Sequence, residues 1–206
     1  MPEEQPPIFR GYRRGKGKGA MPGSAYPAMI DTLRDFLDDL AAAKLDEATI
    51  EALAADLQQW RGRLAPLKAS EEHRMFGRVD NVPGHGQVMC PAIDIEELDE
   101  TSVRAQVTFG DYFLGGNAAA HGGAVSLMFD ELLGMSANAG PGGVARTAYL
   151  HINYRAITPM NRPLTVTATV YAIEGRKRFV RGELKDGERL CADADGLFLE
   201  LLPGQQ

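Results

Sequence analysis

A single long apolar helical stretch at residues 121–138 dictates what this chain can fold into, because everything after it reads as strand. It opens His121-Gly122-Gly123-Ala124-Val125-Ser126-Leu127-Met128-Phe129-Asp130, continues through Leu132, Leu133 and Met135, and is stopped by Gly140-Pro141-Gly142-Gly143. Four runs rich in Val, Ile, Thr and Tyr follow at 144–157, 163–174, 177–185 and 189–201, with Glu174-Gly175 and Asp186-Gly187 suited to hairpins. Upstream, Val103, Ala105, Val107 and Phe109 alternate with polar neighbours, so 101–109 reads as a strand, and another is read near 91–97. A helix this apolar must be covered, and the only cover the sequence offers is a curved antiparallel sheet wrapped around it.

That arrangement is a hot-dog fold of the α+β class, here with an N-terminal helical extension. In the extension Asp31 reads as the N-cap of a helix with Ile30, Leu33, Phe36, Leu37 and Leu40 on one face. Asp46 reads as the cap of a second helix, with Ile50, Leu53, Leu57, Trp60 and Leu64 on one stripe and Pro66 at its end. Such a stripe is core or interface. The chain therefore divides into a flexible basic tail (1–27), a helical hairpin packed on the main domain or on a partner subunit (28–65), and the hot-dog domain (66–206).

The totals narrow the classes of function. With 206 residues, 44% of them hydrophobic and 24% charged, a sizeable core is available. A net charge of −6 gives no overall attraction to nucleic acid or an anionic membrane. No apolar run approaches the ~20 residues of a membrane-spanning helix, and no apolar core follows the positive charges near the amino terminus as a secretory signal requires. Cys90 and Cys191 form no metal or redox spacing, which favours the reducing cytoplasm. His73 and His85 have no partner at ligand spacing, so no metal is expected.

The chemistry gathers on the central helix. Its first-turn N–H groups lack internal acceptors and carry the positive end of the helix dipole. Gly122 and Gly123 leave room for a substrate atom to approach the backbone, which makes a candidate oxyanion hole. Packing of helix on sheet would explain the same glycines. Asp130 is the unusual residue, a carboxylate in an apolar setting where burial would raise its pKa. It suits a general base on water or a nucleophile; the structural alternative is a strand cap or an ion pair with Arg146 or Arg155. Glu131 turns about 100° away and reads as solvated or ion-paired. His121 and Asp130 lie ~900° of rotation and ~13.5 Å apart along one helix. They then project from opposite faces, so one acyl carbonyl meets both only if they come from two subunits across a two-fold axis.

The segment Gly116 to Gly134, the run Arg146-Thr147-Ala148-Tyr149-Leu150-His151-Ile152-Asn153-Tyr154-Arg155 and the stretch Ile173 to Val180 together resemble a known family. They are similar to the hot-dog acyl-CoA thioesterases of the phenylacetate-pathway type, and most closely to the thioesterase-superfamily-member branch, over roughly 95–201. The resemblance implies hydrolysis of an acyl-CoA thioester by a homodimer or dimer of dimers, with no metal or bound cofactor and with coenzyme A as part of the substrate. It casts Asp130 as the catalytic acid, His121-Gly122 as the carbonyl-binding turn, and Thr147 as a hydroxyl that helps place the attacking water. Asn117 is the nearest match to an amide in the preceding loop, and Gly123 lies beside the substrate carbonyl. Arg176, Lys177 and Arg178 form a turn that is either solvated or holds the nucleotide phosphates. Two other readings stay open: a non-catalytic acyl-CoA-binding protein on the same fold, and a hot-dog dehydratase of 3-hydroxyacyl thioesters. Asp130 and Thr147 beside the His-Gly-Gly turn argue against the first, and the lack of a His–acid pairing motif argues against the second.

Overall fold

The expected helix is present in the computed structural model, which describes residues 25–76, 86–202 and 204. Most of the basic tail, and His85, lie outside the described residues. The elements are α1 (Ala25–Ala42), α2 (Glu47–Leu64), β1 (Ile93–Leu98), β2 (Ser102–Val107), β3 (Leu114–Gly116), β4 (Ala119–Ala120), α3 (Gly122–Ala139), β5 (Ala145–Tyr154), β6 (Leu164–Glu174), β7 (Lys177–Asp186) and β8 (Arg189–Glu200). Six strands make one antiparallel sheet in the order β1-β2-β6-β7-β8-β5, while β3 and β4 form a separate hairpin.

The sheet closes on α3. Val125, Met128, Phe129, Leu132 and Leu133 meet Val107, Val166, Val180, Leu184 and Phe198, and each of these is at most 1% exposed. The fit depends on two strand glycines. A Cβ on Gly182 would stand 2.7 Å from Leu133 Cδ1 and 3.0 Å from the Thr167 carbonyl oxygen, and one on Gly196 would stand 2.9 Å from Leu150 Cδ2. The helix rests where these two strands present no side chain. This is the hot-dog arrangement, reached by burying one helix in one sheet.

Both ends of α3 are tied down by hydrogen bonds. At its C-terminal end Asn138 Nδ2 donates to the carbonyls of Gly134 (2.8 Å) and Ala145 (3.2 Å), and Asn138 Oδ1 accepts from the Ala145 N–H (2.8 Å). The first residue of β5 is thereby fixed to the last turn of the helix. Arg178, 5% exposed, donates from Nη1 to the Ala137 carbonyl (2.6 Å) and from Nη2 to the Gly143 carbonyl (2.9 Å) and Glu200 Oε2 (2.7 Å). A cation at a helix C-terminus neutralises carbonyls that have no helical donor. The expectation of one basic turn over 176–178 is thus corrected: Arg178 belongs to the interior, because residues on β7 alternate inward and outward.

The helical extension differs from expectation in two respects. Helix α1 starts at Ala25, so Asp31 lies inside it and is not its cap. The earlier start includes Tyr26, which with Val88 packs against Ile30 in a small apolar cluster of its own. Asp38 of α1 accepts the Tyr112 N–H at 2.8 Å, in a space open only because Gly110 has no Cβ. Helix α1 therefore braces the short 3-10 turn Asp111–Phe113. Helix α2 has the expected cap, with Asp46 Oδ1 accepting the Thr49 N–H at 2.8 Å. None of its residues is buried, so of the two packings expected, on the main domain or on a partner subunit, the first is not seen among the described residues.

Replacing Gly182 by Ala should push Leu133 and the facing strand apart and lower unfolding free energy by about 1–3 kcal/mol. Urea denaturation should show a lower midpoint at unchanged slope; an unchanged midpoint would mean that the helix and sheet have slack at this contact.

Candidate active site

The site is built around the cap of α3. His121 has extended backbone (φ −60°, ψ 133°), and its Nδ1 accepts the Gly123 N–H at 2.9 Å. The ring therefore satisfies a first-turn donor and, when neutral, keeps its proton on Nε2. The His121 carbonyl accepts from Ala124 (2.9 Å) and Val125 (3.2 Å). That leaves the Gly122 N–H, which has no acceptor among the described residues. Of the first-turn N–H groups expected to be open, those of Gly123 and Ala124 are already engaged.

The same turn is gripped from β5. Tyr154 Oη donates to the Gly122 carbonyl at 2.8 Å, Ser126 Oγ donates to it at 3.0 Å, and the two hydroxyls are 2.9 Å apart. A Cβ on Gly122 would lie 3.3 Å from the Tyr154 oxygen, so the ring rests directly on the glycine. Sequence reasoning missed Tyr154 and Ser126. Ser126 stands one turn beyond Gly122, which was available as a signal. Nothing in the spacing tells that the end of β5 reaches back to the start of the helix.

Asp130 sits further along α3, where its Oδ1 accepts from Thr147 Oγ1 at 2.8 Å. Thr147 is aimed by a break in strand register: opposite β8 the pairing shifts between Thr147 and Tyr149. Such a bulge re-aims the neighbouring side chain. Asp130 is exposed in the single chain, and the burial expected of it is not found. Met128 and Phe129 take the sheet-facing side, and Asp130 lies about 100° further round. Arg155, one ion-pair partner considered for it, instead holds Asp193 (Nε–Oδ2 2.5 Å) and lowers the pKa of that carboxyl.

A cleft of about 650 Å³ joins these groups, walled by Met89, Tyr112, Phe113, Leu114, Leu127 and Leu150 and bordered by His121, Gly123, Ser126 and Asp130. His121 and Asp130 thus border the same opening, contrary to the opposite-face expectation. His121 is an extended cap outside the helical rotation, whereas Ser126 and Leu127 lie three and four residues beyond Gly123, Asp130 lies four and three beyond those two, and all four share one face. The axial argument stands unchanged, since Gly122 and Asp130 are separated by ~12 Å of helix.

Other sequence candidates lie apart from this cleft. Asn117 is exposed at the tip of the β3–β4 hairpin, where its φ of 51° and that of Ala118 (55°) form the turn. Asparagine suits that left-handed backbone without any ligand. Arg176 and Lys177 are exposed on the β6–β7 turn, and Arg176 Nη1 donates to the Glu200 carbonyl at 2.8 Å. They lie toward the end of α3 that Arg178 ties down, away from His121. Cys90 lies behind the cleft wall with Sγ 3.7 Å from the Leu127 carbonyl. Burial, reinforced by Glu131, pushes its thiol up to about 12, so it stays protonated and is no nucleophile at neutral pH. Among the described residues no three His, Cys, Asp or Glu side chains converge as metal ligands, and no helix is long and apolar enough to cross a membrane.

Residues 117–192 match the thioesterase superfamily. The acyl-coenzyme A thioesterase THEM4 of Xenopus laevis is 33% identical over 140 residues, 67% of this chain and 61% of that protein. The chain spans between 36% and 61% of the length of the curated relatives it matches. A crystal structure of a thioesterase superfamily protein is 29% identical with a TM-score of 0.72, covering 88% of this chain and 94% of that one. A Streptococcus mutans protein, solved bound to acetyl-CoA, shares the fold at 18% identity and a TM-score of 0.50, over 53% of this chain and 88% of its own.

The His121 cap sets a tautomer that nitrogen NMR can read. In the neutral imidazole Nδ1 should carry the shift of an unprotonated acceptor and Nε2 that of a protonated nitrogen; the reverse assignment would mean that the Gly123 bond is not made in solution.

Proposed function

From a chain whose residues 117–192 form a thioesterase superfamily domain on the hot-dog fold, we propose hydrolysis of acyl-CoA thioesters at a site completed by a second copy of the chain. The supporting observation is that a hydroxyl-held carboxylate and the His121-Gly123 turn, in which the Gly122 N–H is unengaged, border one apolar cleft. The cleft walls suit an acyl chain, and the polar groups suit its thioester. On one helix the two are ~12 Å apart, so Asp130 of one copy faces Gly122 of the other across a two-fold axis.

Each residue then has a stated task. The Gly122 N–H donates to the carbonyl oxygen as negative charge develops there, and the helix dipole assists it. Thr147 holds Asp130 Oδ1, leaving Oδ2 to take a proton from water as that water attacks the carbonyl carbon. The new C–O bond forms, the C–S bond breaks, and the departing CoA thiolate is protonated. Direct attack by the carboxylate, through a mixed anhydride, would use the same oxygen; only that route places oxygen-18 from solvent in the Asp130 carboxyl during a single turnover. Tyr154 and Ser126 position the Gly122 turn. Arg176 and Lys177 are the exposed cations proposed for the nucleotide phosphates, Arg178 being committed elsewhere. A dehydratase role finds less support, because His121 Nδ1 is occupied by Gly123. Both cysteines are free thiols, which fits a reducing compartment such as the cytoplasm.

Release of free thiol from short, long and aromatic acyl-CoA esters tests the reading and identifies the acyl class. Asp130→Asn should fold normally and lose about 10²–10⁴-fold in kcat, with Glu131→Gln near the parent rate. Parent-like hydrolysis by the Asn variant would assign Asp130 a structural role. Thr147→Ala should cost less than Asp130→Asn. Tyr154→Phe should lower kcat with little change in KM; a change in KM alone would give the tyrosine to binding.

A further inference from the structure

Helix α2 is a well-formed helix with no packing partner among the described residues to explain it. It is capped, runs 18 residues and buries none of them. An isolated helix of that length is marginal in water, and most helices depend on packing of an apolar face. The face is present here: Ile50, Leu57, Trp60 and Leu64 are 45–58% exposed. With Leu53, and with Leu67 in the following 3-10 turn, they recur at intervals of three, four, three, four and three. That is the seam of a two-stranded coiled coil, narrower than the face a helix turns to a sheet. Helix α1 does not cover it, since α1 is spent on the Tyr26, Ile30 and Val88 cluster and on the turn at Tyr112.

We propose that the α2 seam pairs with the same helix of a second copy, antiparallel, at a contact separate from the active-site cleft. Charge selects both the partner and the direction. Glu47, Glu51 and Asp56 occupy the first part of the helix, and Arg61 and Arg63 the last turn. Parallel pairing would set the acidic halves side by side, whereas antiparallel pairing sets each against the basic end of the other and opposes the two helix dipoles. Asp56 and Arg63, one heptad apart on the same flank, then meet the partner's Arg63 and the partner's Asp56. Shape agrees with charge. Antiparallel layers match Leu57 with the partner's Trp60, and Leu53 with the partner's Leu64. Parallel layers would force two indoles into one layer. The Arg63 guanidinium already stands 4.9 Å over the Trp60 ring, on the flank of the seam.

The register can be read by disulfide trapping in the full chain. In Leu53→Cys/Leu64→Cys the two positions are ~16 Å apart on one helix, too far to bridge within a chain, and the native Cys90 and Cys191 are buried. Mild oxidation should give a covalent dimer at least tenfold faster than either single substitution. Linking of the singles at the same rate would mean parallel or unordered contact and overturn the proposal, as would no linking at all. Trp60 is the only tryptophan, so its emission reports the seam alone. Leu57→Glu, at an exposed position where folding is not at risk, should shift that emission to the red. An unshifted emission, or a shift seen equally on removing residues 1–24, would show that the stripe is bare or covered by the chain's own leading segment, and either result rejects the second copy.

Discussion

An apolar helix of eighteen residues cannot be left in water, and the rest of the domain is arranged around hiding it. Removing its large side chains from solvent is worth roughly 1.5–3 kcal/mol each, so the position of α3 is the best-defined coordinate in the fold. The sheet covers the face carrying Val125, Met128, Phe129, Leu132 and Leu133. The uncovered face, through Gly123, Ser126, Leu127 and Asp130, becomes the wall of the cleft. Core and site are two sides of one cylinder, and both inherit its rigidity.

The N-terminal turn of that helix concentrates the chemistry by accounting for its own hydrogen bonds. His121 consumes one donor with its ring and two with its carbonyl. Tyr154 and Ser126 load the Gly122 carbonyl. What is left is a single N–H at the positive end of the dipole, held in place on both sides. A donor whose surroundings are already ordered costs little reorganisation when charge appears before it, which is the condition for electrostatic stabilisation of a transition state.

Much of this was legible in the sequence. The apolar run of α3, the hairpin turns at Gly175 and Gly187 and the Asp46 cap each follow from local chemistry, and the structure has them where the residues put them. The failures have physical causes. Asp31 looks like a cap, but the helix extends back past it through Tyr26, which packs on Ile30 together with Val88 from far along the chain. Helical rotation misplaced His121 because a cap residue is extended. Arg178 reads as one of three surface cations until strand alternation turns it toward the orphan carbonyls at the end of α3. The bulge at Thr147 and the reach of Tyr154 are tertiary facts with no local signature.

Strand β5 touches both working ends of the domain. Its Thr147 engages Asp130, its Tyr154 engages Gly122, and its first residue is anchored by Asn138. It is also the last strand of the sheet, bonded to β8 alone. A ribbon held at both ends and free along one edge flexes as a unit, so a small displacement there would move the carboxylate's clamp and the glycine's clamp together. Acid and amide are mechanically geared, and a substitution at Ala148 or its neighbours would have to be matched at both ends or at neither.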